Sequence, residues 1–426
     1  MMRLTTCLTL LAVSLAATPV TLTAQESRVD SLEARIRELE ARLDSLLNEI
    51  ARGRADSAAK SAAAELEALR AAARAAAGEP EQDTAAASRT SNLNILNPEI
   101  SATGDVLSLY VDPAGEPGYL TAVPREFEFS FEAALDPYTR TKIFVTHEEE
   151  LEIAGLAEED EEGAAHPAVD IEEGYIYWIG LPGFGLKVGK FRQQIGLYNR
   201  WHTHALPEVD RPLPTVAFLG HDGLIQTGLS AALPTLTLGI STQTFTIELA
   251  RASNDALFDG GKKLSFLGHF NSFWDISAAS YLQLGAAVVY GENDDAALTS
   301  RLYQLDFSYR WRPPGRALYR DFTLKGEWYF AEKDYGNEKP KGDGGYLQAN
   351  YRLDRRWVLG ARADYVDSYG DEPEILQIVP TVTWWQSEWV RLRLQYNYVK
   401  PKDGSAGHTV IAQVVWAVGP HKHETY

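Results

Sequence analysis

From about residue 97 onward, apolar and polar residues alternate in segments of roughly ten residues. In 126–136, Phe127, Phe129, Phe131, Ala133 and Leu135 oppose Glu126, Glu128, Ser130 and Glu132. In 302–312, Tyr303, Leu305, Phe307, Tyr309 and Trp311 oppose Gln304, Asp306, Ser308, Arg310 and Arg312. The same period of two runs through 321–330 (Phe322, Leu324, Trp328 and Phe330) and 390–398 (Val390, Leu392, Leu394, Tyr396 and Tyr398). Alternation of this kind is a strand with two unlike faces. A soluble sandwich also alternates, so three further features carry the choice. Segment length matches what a tilted strand needs to cross a bilayer. Connections alternate short (136–139, 181–183, 232–235, 312–316, 353–356, 386–389) and long (147–169, 193–221, 251–262, 331–342, 400–407). Trp and Tyr gather near segment ends, as interfacial girdles require.

The pattern therefore predicts an all-β fold: a transmembrane antiparallel β-barrel of about 16 strands over 97–426. The strands start near residues 100, 126, 139, 170, 184, 222, 235, 264, 277, 299, 320, 343, 356, 374, 389 and 408. An even count brings both barrel ends to the short-turn side, the periplasmic one. The C-terminal aromatic, Tyr426, is a habit of such barrels.

Ahead of residue 97 the period changes. Residues 1–24 pair Arg3 with an apolar run and then small residues, which predicts a secretory signal peptide. In 26–52, Val29, Leu32, Ile36, Leu39, Leu43, Leu46 and Ile50 are spaced three and four apart. That is a short α-helical coiled coil; Arg35 opposite Glu40 favours a parallel homo-oligomer, and Val or Ile at a with Leu at d leans towards two strands without settling the number. Residues 53–96 read as an Ala-rich helix followed by a polar linker.

Composition narrows the function. The formal net charge of −19 argues against a nucleic-acid partner, which needs a basic footprint. The single cysteine, Cys7, lies in the signal, so the mature chain has no thiol for a disulfide, a nucleophile or a thiolate metal site. No G-x-S-x-G, H-E-x-x-H or phosphate-binding Gly loop is present, and "GDGG" at 342–345 reads as a turn leading into a strand. We therefore expect no enzyme and no cofactor. Outer-membrane lipid, further copies of the chain and small hydrophilic solutes are the expected partners.

The stretches "NPEISATGD" (97–105), "FEFSFEAALDPYTRTKIFV" (127–145), "EEGYIYWIGLPGFGLKVGKFRQQIGLYNRWHTHALPEVDRPLP" (172–214) and "FLGHDGLIQTGLSAALP" (218–234) resemble a bacterial outer-membrane porin. The class is the broad one that includes the phosphate-selective porins. The resemblance implies a 16-stranded, commonly trimeric barrel in the bacterial outer membrane, passing solutes by diffusion. It also implies that the long connection 193–221 folds inward and narrows the lumen. The chain departs from phosphate selectivity: inward Arg310, Arg312, Arg362, Arg391 and Arg393 are offset by Glu126, Glu128, Glu132, Asp306, Glu327 and Asp364.

Candidate lumen residues are Arg192, Arg200, Arg211, Arg391 and Arg393 as positive groups, Glu208 and Asp210 as negative ones, and His202 and His204. His202 and His204 sit two apart on one face of an extended chain and could share a metal, with His221, Asp210 or Glu208 as a third ligand. A metal-binding or TonB-linked uptake protein is the alternative. Only about 70 mature residues precede the barrel, which leaves no room for the plug domain that TonB-linked uptake requires. The acidic segment 147–169 reads as an external loop able to bind divalent cations weakly.

Overall fold

The computed structural model describes residues 98–113, 117–149, 169–179, 181–258, 261–293, 298–334, 336, 338–369 and 373–419. The predicted signal, coiled coil and linker lie outside these residues, as do 150–168 of the acidic segment and Tyr426.

The strands are β1 (Glu99–Asp112), β2 (Tyr119–Ala134), β3 (Thr139–Glu148), β4 (Asp170–Trp178), β5 (Gly185–Arg192), β6 (Ile225–Ala232), β7 (Leu236–Leu238), β8 (Ser241–Arg251) and β9 (Leu264–Ser277). They continue as β10 (Ser280–Glu292), β11 (Thr299–Trp311), β12 (Asp321–Lys333), β13 (Lys341–Arg352), β14 (Trp357–Asp367), β15 (Ile375–Trp385), β16 (Val390–Pro401) and β17 (Gly407–Val418). Apart from β6 and β7, each pairs antiparallel with its sequence neighbours, and β1 pairs with both β2 and β17, which closes the barrel. Because β6 and β7 both pair with β8, they are two parts of one stave, so the barrel has 16 staves.

That interruption corrects one expected turn. The chain does not reverse at 232–235. Pro234, which lacks an N–H for the ladder, only breaks the strand. The reversal comes later, at Gly239 with φ of +63°, where Leu238 faces Ser241. The strand expected from 235 accordingly starts at Ser241.

A second correction concerns β2, which starts at Tyr119, not near 126. Pairing slips between Asp105–Glu126 and Leu107–Val123, so Pro124 and Arg125 form a bulge. A bulge breaks the period of two and re-aims a side chain. Here it turns Arg125 inward onto Asp105.

The short turns are closed by the oxygens their sequences supply. Asp136 Oδ1 accepts from the N–H groups of Tyr138 and Thr139 at 2.7 and 2.8 Å. Asp354 Oδ1 accepts from Arg356 and Trp357 at 2.7 and 2.9 Å, and Ser387 Oγ from Trp389 and Val390 at 3.2 Å each. These are side-chain-capped turns of the Asp and Ser type.

The outward face is apolar. Leu305, Leu347, Leu376 and Ile378 stand exposed at mid-barrel. Tyr138, Tyr319, Trp357 and Trp389 are exposed at the short-turn end, and Tyr110, Tyr119 and Tyr290 at the other. A hydrocarbon-facing band between two aromatic belts is what a bilayer selects. Inward positions are polar along most strands: β17 points Thr409, Ile411 and Gln413 inward while Val410 and Val414 face out.

Candidate functional site

The segment between β5 and β6 is tied to inward-facing side chains on widely separated staves. Gln194 N–H donates to Glu248 on β8 at 3.2 Å, and Leu197 N–H to Glu327 Oε1 on β12 at 2.8 Å. His204 N–H donates to Glu126 Oε2 on β2 at 2.8 Å, and Val209 N–H to Gln395 on β16 at 2.8 Å. Leu213 N–H reaches Asp364 on β14 at 3.2 Å. The backbone of this segment therefore crosses the barrel interior, and strand carboxylates and amides supply the acceptors that water would otherwise provide.

A short helix, α1 (Leu213–Leu219), seats on the wall. Phe218 and Leu219 join Leu257 and Phe258 of a second short helix, α2 (Asp255–Phe258), and inward Leu267, Val289, Leu302 and Tyr329. The barrel thus holds a small apolar core. The glycines of "GDGG" make room for it. They belong to β13, not to a turn. A Cβ on Gly342 would lie 2.9 Å from the Phe218 ring and one on Gly344 3.1 Å from Pro214. Glycine inside a strand marks this kind of close approach.

Electrostatic ties are denser still. Arg362, fully buried on β14, donates from Nε to Asp364 at 2.9 Å and from its terminal nitrogens to the Asp210 carboxylate and carbonyl at 2.9 and 2.8 Å. Asn397 also donates to Asp210, at 2.7 Å. Glu208 accepts from Tyr198 Oη at 2.7 Å and from Gln348. Glu327 accepts from the hydroxyls of Tyr329 and Tyr346 at 2.6 and 2.5 Å.

On the opposite wall, His202 and His204 meet four carboxylates. His202 Nε2 is 2.9 Å from Glu173 Oε1, and its Nδ1 is 2.6 Å from Glu128 Oε2 and 2.8 Å from Glu172 Oε2. His204 Nδ1 is 2.7 Å from Glu126 Oε1. Arg192 pairs with Glu172. Glu172 and Glu173 are adjacent in sequence yet both buried, because the β3–β4 register slips between Phe144 and Val145 and β4 carries a bulge there. Burial by itself lowers the His202 pKa, but Glu172 and Glu128 outweigh it and hold the imidazole well above its ordinary value. Burial likewise opposes protonation of His204, and Glu126 and Glu128 raise it.

The expected site residues therefore separate into two groups. Arg192, His202, His204, Glu208 and Arg211 are buried in contacts between the segment and the wall. Arg211 donates to the carbonyls of Tyr198 and Trp201 at 3.2 and 2.7 Å. Asp210 is engaged by Arg362. Arg200, Arg391 and Arg393 border a cavity of about 620 Å³, and Arg391 and Arg393 belong to both groups, since they also donate to the segment's carbonyls at His204 and, at 3.0 Å, Leu206. Arg310, Lys325 and Arg352 line it too, and Asp321 is the one carboxylate among its described lining residues.

The third ligands expected for the histidines are elsewhere: Asp210 and Glu208 as above, and His221 half-exposed, 3.9 Å from Asp222. The carboxylates that do gather with His202 are Glu126, Glu128 and Glu172. Two acidic residues at i, i+2 on the polar face of β2 were the sequence signal for them. The bulge that brings Glu172 in left none.

No family model matches the chain. An uncharacterized protein of Aquifex aeolicus (strain VF5) is 26% identical over 302 residues, covering 59% of this chain. The chain spans 62% of that relative's length, less than two thirds. Among solved structures, the anion-selective porin from Comamonas acidovorans superposes with a TM-score of 0.53 at 11% identity, covering 75% of this chain and 99% of that one. The high-pH structure of Pseudomonas putida OprB gives 0.50 at 8% identity, covering 78% and 96%. Both show the same kind of fold, a porin-like barrel.

Proposed function

We propose that the chain is an outer-membrane porin that passes small hydrophilic anions by diffusion, through a lumen narrowed by the segment 193–224. The observation that carries this is the separation of charge inside the barrel. Acidic inward residues such as Glu126, Glu128, Glu327 and Asp364 are consumed in holding the segment. The remaining cavity is bordered by Arg200, Arg310, Lys325, Arg352, Arg391 and Arg393 against Asp321 alone, which pairs with Arg310. A ring of one charge sign at a constriction favours the opposite ion. The C. acidovorans neighbour is itself an anion-selective porin, although the reading rests on this chain's own lining.

Swelling of liposomes carrying the full chain tests it. Small anionic solutes are expected to enter faster than cationic ones of equal size. Equal rates, or faster cations, would remove the anion preference. We further propose that the predicted coiled coil at 26–52 lies in the periplasm and joins copies into a homo-oligomer, a trimer. Deleting 26–52 is then expected to shift the purified protein to smaller assemblies by mass photometry, and an unchanged mass distribution contradicts that role.

A further inference from the structure

We infer that Glu126, Glu128, Glu172 and His202 form a binding site for one divalent transition-metal cation, a staple between the inward segment and the β2–β4 wall. One ligand atom from each of these residues lies within 4.8 Å of every other. All four are buried.

The histidine is oriented for ligation. A carboxylate can only accept, so the 2.9 Å contact with Glu173 places the proton on His202 Nε2. Nδ1 then turns its lone pair toward Glu128 and Glu172. A carboxylate holding the far nitrogen of a metal-ligating imidazole is the usual outer support of such sites. His204 supplies a second support: its ring and its backbone N–H both hold Glu126.

The carboxylates point to a missing cation independently of the histidine. Glu128 has a side chain with 0% exposure, and no hydrogen-bond donor is aligned with either of its oxygens. Glu172 Oε2 is in the same condition, while its Oε1 is taken by Arg192. Glu128 Oε2 and Glu172 Oε2 converge on His202 Nδ1, at 2.6 and 2.8 Å. Buried carboxylates in this state are costly unless a charge meets them. Without a metal, a proton on His202 partly fills that role. A divalent ion engages all four residues at once.

Ligand chemistry sets the class. An imidazole with carboxylates suits Zn²⁺, Mn²⁺ or Co²⁺, whereas Ca²⁺ and Mg²⁺ prefer all-oxygen shells. The site is independent of whether the barrel conducts, so its failure and the failure of the porin reading are separable.

The test uses the full chain, folded in detergent after chelator treatment. Isothermal titration with Zn²⁺ is expected to show one high-affinity site per chain. Titration with Co²⁺ is expected to give visible absorption from an O/N-ligated ion. Glu128→Gln keeps the shape and removes a ligand charge, so it should weaken Zn²⁺ at least about tenfold and abolish the cobalt band. Glu132→Gln, on the same strand but outside the site, should leave both unchanged. Equal Zn²⁺ affinity in wild type and Glu128→Gln overturns the inference, as does tighter binding of Ca²⁺ than of Zn²⁺. A cobalt band that persists in Glu128→Gln does the same.

Discussion

Replacing Lys325 and Arg352 together by glutamine is expected to lower the anion-over-cation permeability ratio roughly four- to ninefold. Both side chains border the open cavity. Lys325 sits 5.4 Å from the Trp201 ring centre, and Arg352 donates to the Arg355 carbonyl at 3.3 Å. Neither faces a carboxylate in an ion pair among the described contacts, so their charge is available to passing ions. A unit charge about 7 Å from an ion in water is worth ~0.6 kcal/mol, and screening near 0.1 M salt roughly halves that. What an anion loses, a cation gains, so each removed charge changes the ratio by about two- to threefold. Reversal potentials in a salt gradient measure this directly. A variant that keeps the wild-type ratio would show that selectivity resides elsewhere.

Arg362→Ala is expected to raise single-channel conductance at least about twofold, with added current noise, because the 16-stave lumen is wide once its crossing segment is loose. One guanidinium holds Asp210 and Asp364 together, binding the segment to β14. Removing it leaves two buried carboxylates without their counter-charge, an effect on the order of 3–5 kcal/mol. The strand ladders do not depend on it, so the barrel itself stays closed. Arg362→Lys should restore only part of the effect, since an ammonium cannot serve both carboxylates and two carbonyls in one plane. Unchanged conductance and noise in Arg362→Ala would mean that the segment does not limit the pore.

The barrel was largely legible because a membrane strand must alternate over a fixed length, and the turns announce themselves through Asp136, Asp354 and Ser387. What escaped was local and had physical causes. Bulges at Pro124–Arg125 and at Glu172 change the face on which side chains fall without leaving a period to read. Pro234 looked like a reversal but is a break within one stave. The interior core is formed where α1 and α2 cover inward Val289, Leu302 and Ala331, contacts between distant segments that no local period announces.

Counting inward residues shows acids offsetting bases, which departs from a phosphate-selective lumen. In space the two sets only partly overlap. Glu126, Glu128, Glu327 and Asp364 contact the crossing segment and Arg362 pairs with Asp364, whereas Arg310, Arg391 and Arg393 border the cavity. The His-x-His was visible from the start. Its partners come from β2 and β4, some 30 to 80 residues earlier, at a distance that only the fold specifies.

The central claim is a lumen that conducts and prefers anions. Planar-bilayer recording of the full wild-type chain in a potassium chloride gradient tests it most directly. The account predicts stepwise channel insertions and a zero-current potential of the sign set by chloride. No conductance, or a potential of the sign set by potassium, would contradict it.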